Sequence, residues 1–358
     1  MPRIRNYDRL LCAIVLTLMF FGLVMVFSVT TGGEGASFRY VIRQSLAALL
    51  GLGAMYFLTF FDYHRLSTQK TVFVVVSASI VLLVVVLFGA QIANTNRFIR
   101  VGPLSVQPSE FAKLALILFL AFFLDKRRDR MDDWRSLAGG GLILAVFAAL
   151  VAGGKDLGTA ISLLLIASAM FWVAGLRLRY FVNAALAVTP LVGLAIWLEP
   201  YRLERITVFL DPEKDPANAG FQILQSQIAV GTGGLLGQGL MEGKQKLRFL
   251  PEAHTDFIFA VICEELGFIV ACLVVLAFVV LLWRGAWVAF RAPDRFGAYL
   301  AAGITAMIVG QAMINLGVVL ALLPTKGMPL PFISYGGTAM ITALAASGVL
   351  LNISQHAE

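Results

Sequence analysis

The residues best suited to proton transfer lie together in the segment from Leu250 to Ala260. Asp256 is flanked there by apolar and aromatic residues, so partial loss of hydration is expected to raise its pKa toward the range in which a carboxylate acts as a general base. His254 is the second candidate base, although a capping or interfacial role is the commoner one for such a histidine. With Thr255, these residues form the first candidate site.

Ionisable side chains also occur within long apolar runs, where their cost makes each one a functional candidate. Glu110 and Lys113 are three residues apart, so on a helix they share a face and can pair. This pair either locks helix packing or leaves Lys113 able to reach an anionic ligand group. Asp156 begins another run, where a carboxylate suits a helix N-terminus and needs no further function. Glu264 and Glu265 are expected to be buried packing residues.

A third polar region precedes the last apolar run. The segment from Leu323 to Thr338 contains three prolines and three glycines, and such broken backbone is tolerated at membrane depth only where it is buried in protein or lines a cavity. Lys326 and the backbone amides near Gly336 would suit a diphosphate. Ser334 lies in the same loop and joins the candidate cavity residues.

These residues are set among apolar runs that have the length of membrane-spanning helices. The chain has 358 residues, of which 59% are hydrophobic and 14% charged, which excludes a water-soluble domain. About ten helices of roughly 20 residues are expected, making the protein all-α and polytopic. The runs are approximately 10–31, 42–61, 70–91, 109–124, 137–153, 157–175, 180–198, 255–283, 297–323 and 332–352.

The placement of basic residues predicts which way the helices point. With a cytoplasmic N-terminus, cytoplasmic segments carry about fifteen Lys and Arg residues, and the short external loops and helix ends carry six, so both termini are expected to be cytoplasmic. The net charge of +7 arises from these loops, which does not indicate nucleic-acid binding. The three cysteines lie inside apolar runs and suggest neither disulfides nor a metal site.

One long external segment, 199–254, separates the seventh and eighth runs. Its apolar residues between Phe221 and Val230 predict an amphipathic helix at the membrane surface. A loop of this length with such apolar content favours a functional role. We expect residues 1–358 to form a single transmembrane domain.

Five motifs in this order resemble the SEDS family (shape, elongation, division and sporulation), which includes FtsW, RodA and SpoVE. The resemblance covers essentially the whole chain. The motifs are Gln107 to Lys113, Asp156 to Thr159, Pro251 to Ala260, Glu264 to Gly267, and Pro329 to Gly337. Lys244 to Leu247 resembles FtsW and Gln225 to Gly234 resembles RodA, and the balance favours FtsW.

The resemblance implies a peptidoglycan glycosyltransferase that polymerises lipid II at the outer face of the bacterial cytoplasmic (inner) membrane. Asp256 matches the family's essential aspartate, and Glu110, Lys113 and Asp156 match polar residues of its central cavity. Arg43 resembles a basic residue of the second helix. The implied partners are lipid II, the growing glycan chain, a class B penicillin-binding protein and other membrane proteins of the division or elongation machinery.

The implied reaction needs one base and a group that stabilises the departing diphosphate. We expect Asp256 to be the base, with Lys113, Arg43 and Lys326 near the diphosphate. No dedicated metal cluster is evident, so a divalent cation such as Mg²⁺ or Mn²⁺ would bind mainly through substrate. Two alternatives remain, a lipid II flippase and a non-catalytic scaffold for the penicillin-binding protein.

Overall fold

The computed structural model describes residues 7–31, 38–89, 97–101, 104–127, 134–197, 200–214, 219–247 and 249–357. These residues form twelve α-helices and one short hairpin. The hairpin pairs β1 (Ile99–Val101) with β2 (Leu104–Val106). The helices are α1 (Arg9–Thr31), α2 (Phe38–Phe60), α3 (Gln69–Phe88), α4 (Pro108–Lys126), α5 (Trp134–Gly153), α6 (Leu157–Val173), α7 (Leu178–Trp197), α8 (Pro200–Leu210), α9 (Ala219–Thr232), α10 (Ile258–Arg291), α11 (Arg295–Val319) and α12 (Gly337–Ser354).

Each of the ten predicted apolar runs is a helix, so the prediction of an all-α polytopic membrane protein is confirmed. Among the described residues, six helices are long and apolar enough to cross a membrane, and two shorter apolar helices accompany them. Several boundaries differ from the prediction, and the largest differences are that α10 ends at Arg291 instead of 283 and that α12 begins at Gly337 instead of 332. The prolines of the loop before α12 hold that backbone out of helical geometry.

The segment between α7 and α10 contains two further helices, α8 and α9. The predicted amphipathic helix corresponds to α9, which packs against α10 and α11 rather than standing apart from the bundle. Its Ile223 is buried, and the Ser226 hydroxyl donates to the Val319 carbonyl at 2.8 Å. This segment therefore joins the end of the bundle at which α11 finishes and α10 begins.

Helices α11 and α12 form the centre of the bundle. α12 packs along α2, while α11 contacts α4, α6 and α10. Small residues permit this close packing: a Cβ on Gly348 would lie 2.5 Å from the Met55 carbonyl oxygen, and one on Gly303 would lie 2.7 Å from Ile117 Cγ2. Polar side chains on α11 thus lie in the protein interior.

Helix α10 is interrupted at Gly267, whose φ of 77° and ψ of −178° are not helical. The glycine-rich segment 233–239 fills the interruption, and its backbone pairs with that of α10 on both sides. A Cβ on Gly267 would lie 2.3 Å from the Gly237 nitrogen, so both chains depend on glycine there. The segment between α7 and α10 therefore reaches well along α10 instead of remaining at its end.

Glu264 and Glu265 precede this interruption and are buried, as predicted. They do more than pack, however. Glu264 accepts the backbone N–H groups of Lys244 and Gln245, at 2.8 and 3.2 Å to Oε1, and Glu265 forms a 2.6 Å ion pair with Lys246. The two carboxylates thus hold the part of the segment between α7 and α10 that leads into the candidate site.

Candidate active site

Asp256 lies in the turn immediately before α10, where its side chain is half-buried. The backbone carbonyl of Asp256 accepts a 2.8 Å hydrogen bond from Asn315 Nδ2 on α11. Its carboxylate faces Gly327 in the loop between α11 and α12, because a Cβ added to that glycine would lie 2.8 Å from Asp256 Oδ2. Two segments far apart in sequence therefore meet at this carboxylate.

The surroundings of Asp256 favour a proton-accepting role near neutral pH. Desolvation is the main cause that raises the pKa of Asp256 to about 7, and the nearby Glu252 and Asp156 carboxylates act in the same direction. Arg205 and Arg97 oppose the rise. A carboxylate with this pKa can accept a proton at pH 7 and release it afterwards.

Gly327→Ala is expected to lower turnover about tenfold or more, because the added methyl displaces the Asp256 carboxylate from its position. Gly336→Ala in the same loop is the matched control, since the nearest atom to its added Cβ is at 3.5 Å. The measurement is the initial rate of glycan synthesis by each purified variant. Equal rates for the two variants would show that the contact with Gly327 does not matter.

The loop between α11 and α12 is held by buried carboxamides that sequence reasoning missed. Gln311 Nε2 donates to the Pro329 carbonyl at 2.8 Å, and Asn315 Nδ2 donates to that of Met328 at 2.7 Å. From α2, Gln44 donates to the Ser334 carbonyl at 3.0 Å and accepts the backbone N–H of Gly336 at 3.1 Å. Much of this broken backbone is thus buried in protein, which is one of the two situations expected for it.

Ser334 contributes to the loop itself. It is buried, and its hydroxyl oxygen accepts the Leu330 backbone N–H at 2.8 Å. This bond, together with the 3.0 Å bond from its own N–H to the Leu330 carbonyl, closes a turn. In this structure, Ser334 therefore supports the site by shaping the loop.

His254 joins an aromatic cluster with Tyr40 of α2 and Tyr335, at ring-centroid distances of 4.9 and 5.6 Å. Its carbonyl accepts the Tyr335 backbone N–H at 2.9 Å, which fastens the turn of Asp256 to the loop before α12. Burial lowers the pKa of His254, so the ring is neutral at pH 7. The neighbouring Thr255 hydroxyl makes a local bond to the carboxylate of Glu252 at 3.0 Å.

Glu110 and Lys113 form the predicted ion pair, with Lys113 Nζ at 2.8 Å from Glu110 Oε1. Lys113 is only 2% exposed, and its ammonium also donates to Gln311 Oε1 at 2.6 Å. Thr342 of α12 donates to the other Glu110 oxygen at 3.2 Å. The pair thus acts on the loop through Gln311, and the structure favours the packing interpretation of Lys113.

Asp156 caps α6, as predicted. Its carboxylate accepts the Thr159 backbone N–H at 3.2 Å and the Thr159 hydroxyl at 2.8 Å. Gln107 and Ser109, at the start of α4, donate to the same carboxylate at 3.1 and 3.4 Å. The residue therefore joins the N-termini of two helices beside the candidate site.

Three cationic side chains lie near the two aspartates, Arg205 and Arg97 near Asp256 and Lys326 near Asp156. Lys326 is half-buried, and desolvation and nearby Arg205 lower its pKa, whereas Asp156 opposes this shift. Arg205 of α8 donates to the Thr325 carbonyl at 2.8 Å, and Arg97 donates to the Lys155 carbonyl. The sequence singles out neither Arg97 nor Arg205 as a site residue, because nothing in the local sequence places α8 beside this loop.

Arg43 of α2 is half-buried and lies next to Gln44 in sequence. Its guanidinium has no hydrogen bond or ion pair to any residue in the described ranges, so its expected role toward a diphosphate stays a prediction. Over the same part of the chain, no three His, Cys, Asp or Glu side chains are grouped as metal ligands.

Comparison with known proteins places this arrangement in a family. Residues 8–358 match the family FtsW/RodA/SpoVE, described as cell cycle protein. The chain is 41% identical over 360 residues to the "Probable peptidoglycan glycosyltransferase FtsW" of Geobacter sp. (strain M18), covering 99% of this chain and 98% of that protein. It is 42% identical over 357 residues to "Stage V sporulation protein E" of Bacillus subtilis (strain 168), covering 98% and 97%.

A solved structure has the same fold. A chain from the structure described as "Structural coordination of polymerization and crosslinking by a peptidoglycan synthase complex" superposes with a TM-score of 0.82 at 31% identity, covering 98% of both chains. Identities to the FtsW and sporulation relatives differ by one percentage point, so the preference for FtsW stays a prediction. The ten predicted helices, the five motifs and these matches agree, and the chain belongs to the FtsW/RodA/SpoVE (SEDS) family of cell cycle proteins.

Proposed function

We propose that this protein is a peptidoglycan glycosyltransferase that polymerises lipid II into glycan strands at the outer face of the bacterial cytoplasmic membrane. The observation that carries the proposal is the half-buried Asp256 carboxylate, with its pKa raised to about 7, beside three cationic side chains at one end of the bundle. The names of the relatives support the activity. The positive-inside bias supports an external location for this end.

The chemistry is an inverting displacement. The 4-hydroxyl of the acceptor N-acetylglucosamine attacks C1 of the N-acetylmuramic acid at the reducing end of the growing chain, while Asp256 accepts the hydroxyl proton. The bond from C1 to the diphosphate oxygen breaks, and undecaprenyl diphosphate leaves with the electron pair. One displacement converts an α-linked diphosphate into a β-1,4 glycosidic bond.

The departing diphosphate needs positive charge that is already in place. Lys326, Arg205 and Arg97 supply it in this proposal, since all three lie near the acidic pair Asp156 and Asp256. Charge-assisted hydrogen bonds in a partly desolvated site stabilise such a leaving group strongly. A Mg²⁺ or Mn²⁺ ion would be held chiefly by the diphosphate, because Asp156 is already occupied as a helix cap.

Lys326→Met is expected to raise KM for lipid II about 10- to 100-fold, the effect of losing one charge-assisted bond. The fold should be retained because Lys326 is half-buried on a loop. Lys244→Met, which removes an exposed lysine from the external segment, is the control. KM is measured from initial polymerisation rates at several lipid II concentrations. If neither KM nor kcat changes in Lys326→Met, this residue does not belong to the diphosphate site.

The partner in this proposal is a class B penicillin-binding protein that crosslinks the new strand, with other membrane proteins of the division or elongation machinery around it. The support is the similarity to a chain of a structure described as a peptidoglycan synthase complex. Co-purification of the two membrane proteins after co-expression, and a rise in polymerisation rate on adding the partner, are the expected results.

A gel assay for glycan strands made from purified lipid II, with and without the partner, separates the proposal from its two alternatives. A glycosyltransferase yields a ladder of strands. A flippase yields none and instead moves lipid II between the leaflets of proteoliposomes, and a scaffold does neither. Absence of strands from folded wild-type protein, even with its partner, would remove the proposed function.

A further inference from the structure

We propose that Asn315 is a positioning residue that fixes the Asp256 turn to the loop carrying Lys326, and that this attachment sets the reactivity of the base. The inference rests on the proposed function of Asp256. Asn315 lies on α11, is only 2% exposed and has no ionisable group, so it acts through Asp256 rather than on substrate.

The geometry assigns the amide orientation of Asn315 without ambiguity. Its Nδ2 lies 2.8 Å from the Asp256 carbonyl oxygen and 2.7 Å from that of Met328, and both partners are acceptors only. Both N–H groups of the single carboxamide are therefore used, one on each segment. Between described residues, no other hydrogen bond joins the backbone of Asp256 itself to this loop, and the Tyr335 N–H binds the carbonyl of His254, two residues earlier.

A second carboxamide on the same face of α11, that of Gln311, binds the same loop. Gln311 is four residues before Asn315, so the two side chains share one helix face. Gln311 donates to the carbonyl of Pro329, the residue after Met328, and is itself held by Lys113 at 2.6 Å. Successive carbonyls of one non-helical loop are thus bound by successive turns of one helix.

The attachment is specific to Asn315. Of the two bound segments, only the Asp256 turn carries the base, and Gln311 does not reach it. Asn315 Oδ1 is buried and has no hydrogen-bond partner among the described residues. An isolated buried acceptor of this kind is unfavourable, so the favourable polar contacts of this carboxamide are its two donated hydrogen bonds. Loss of those donors releases the Asp256 carbonyl, while the Tyr335 N–H still holds the neighbouring His254 carbonyl. The loosened Asp256 residue then admits water to its carboxylate.

The test is the pH dependence of polymerisation by the full-length protein with its partner, for wild type, Asn315→Ala and Asn315→Asp. For Asn315→Ala, kcat is expected to fall about 100-fold with KM for lipid II unchanged within about twofold. Its acid-side midpoint is expected to move at least half a pH unit below that of wild type, because the freed carboxylate is better hydrated. Asn315→Asp keeps the side-chain shape but removes the paired donors, so its kcat should fall similarly.

The matched control is Asn352→Ala. Asn352 is a second asparagine, 3% exposed, at the opposite end of α12 from the site. It also bridges two backbone groups, donating to the Thr59 carbonyl at 2.8 Å and accepting the Tyr63 N–H at 3.1 Å. The control should lose comparable thermal stability but keep the wild-type pH midpoint.

The possible results separate the positioning role of Asn315 from the proposed function of the protein. A kcat loss with a shifted midpoint in Asn315→Ala, absent in Asn352→Ala, supports the positioning role. Wild-type kcat and midpoint in a folded Asn315 variant would overturn it and leave the proposed function intact. If Asn315→Ala does not fold, the isosteric Asn315→Asp decides by its kcat. A wild-type protein without polymerisation would instead remove the proposed function itself.

Discussion

Asp256→Asn is expected to lower polymerisation about 100- to 10,000-fold, the range that a general base contributes. The asparagine has the same shape and still offers its backbone carbonyl to Asn315, so the bundle should fold normally. Only the ability to accept the acceptor hydroxyl proton is lost. The measurement is the amount of glycan strand formed over time by purified protein with its partner.

The control for Asp256→Asn is Glu252→Gln, which neutralises an exposed carboxylate four residues away. That variant should keep most of its activity, because Glu252 acts on Asp256 only through charge and raises its pKa. Thermal unfolding of each variant in detergent checks that the fold is retained. Wild-type strand formation by folded Asp256→Asn would remove the base assignment.

Lys113→Met is expected to destabilise the folded protein by about 3–5 kcal/mol, the cost of leaving a buried partner charge uncompensated. The Glu110 carboxylate loses its 2.8 Å partner, and Gln311 loses the donor that orients it toward the Pro329 carbonyl. The variant should therefore show both a lower unfolding temperature and a lower kcat. Thermal unfolding and polymerisation rates measure the two effects.

The double variant Glu110→Gln with Lys113→Met separates packing from substrate binding. It removes both charges together, so most of the lost stability should return. Recovery of most of the stability with only partial recovery of kcat is expected, because the residue at position 113 no longer holds Gln311. A Lys113→Met protein of normal stability, whose only defect is a raised KM for lipid II, would favour direct contact with the diphosphate.

The helices of this protein were predictable because each depends on its own stretch of sequence. A run such as 10–31 is apolar along its whole length. A segment that crosses the hydrocarbon core must satisfy its own backbone hydrogen bonds, and a helix does so. The pairing of Glu110 with Lys113 and the capping by Asp156 were predictable for the same reason. Both depend on residues within one helical turn or at one helix start.

The remainder of the site depends on contacts between distant segments. Asn315 and Gln311 carry no charge, so they did not stand out within an apolar helix as ionisable residues do. Arg205 reaches the site only because α8 lies against the loop that contains Thr325. The segment 233–239 fills the interruption of α10 at Gly267. The sequence around Gly267 does not indicate that this distant segment packs there.

The central claim is that the Asp256 carboxylate, partly desolvated, accepts the proton during glycan polymerisation. The most direct measurement is the polymerisation rate of wild-type protein with its partner from pH 5 to pH 9. Because the pKa of Asp256 is raised to about 7, the carboxylate is available above that pH and lost below it. The rate should fall about tenfold for each pH unit below 7. A rate that stays constant from pH 5 to pH 8 in folded protein would contradict the account.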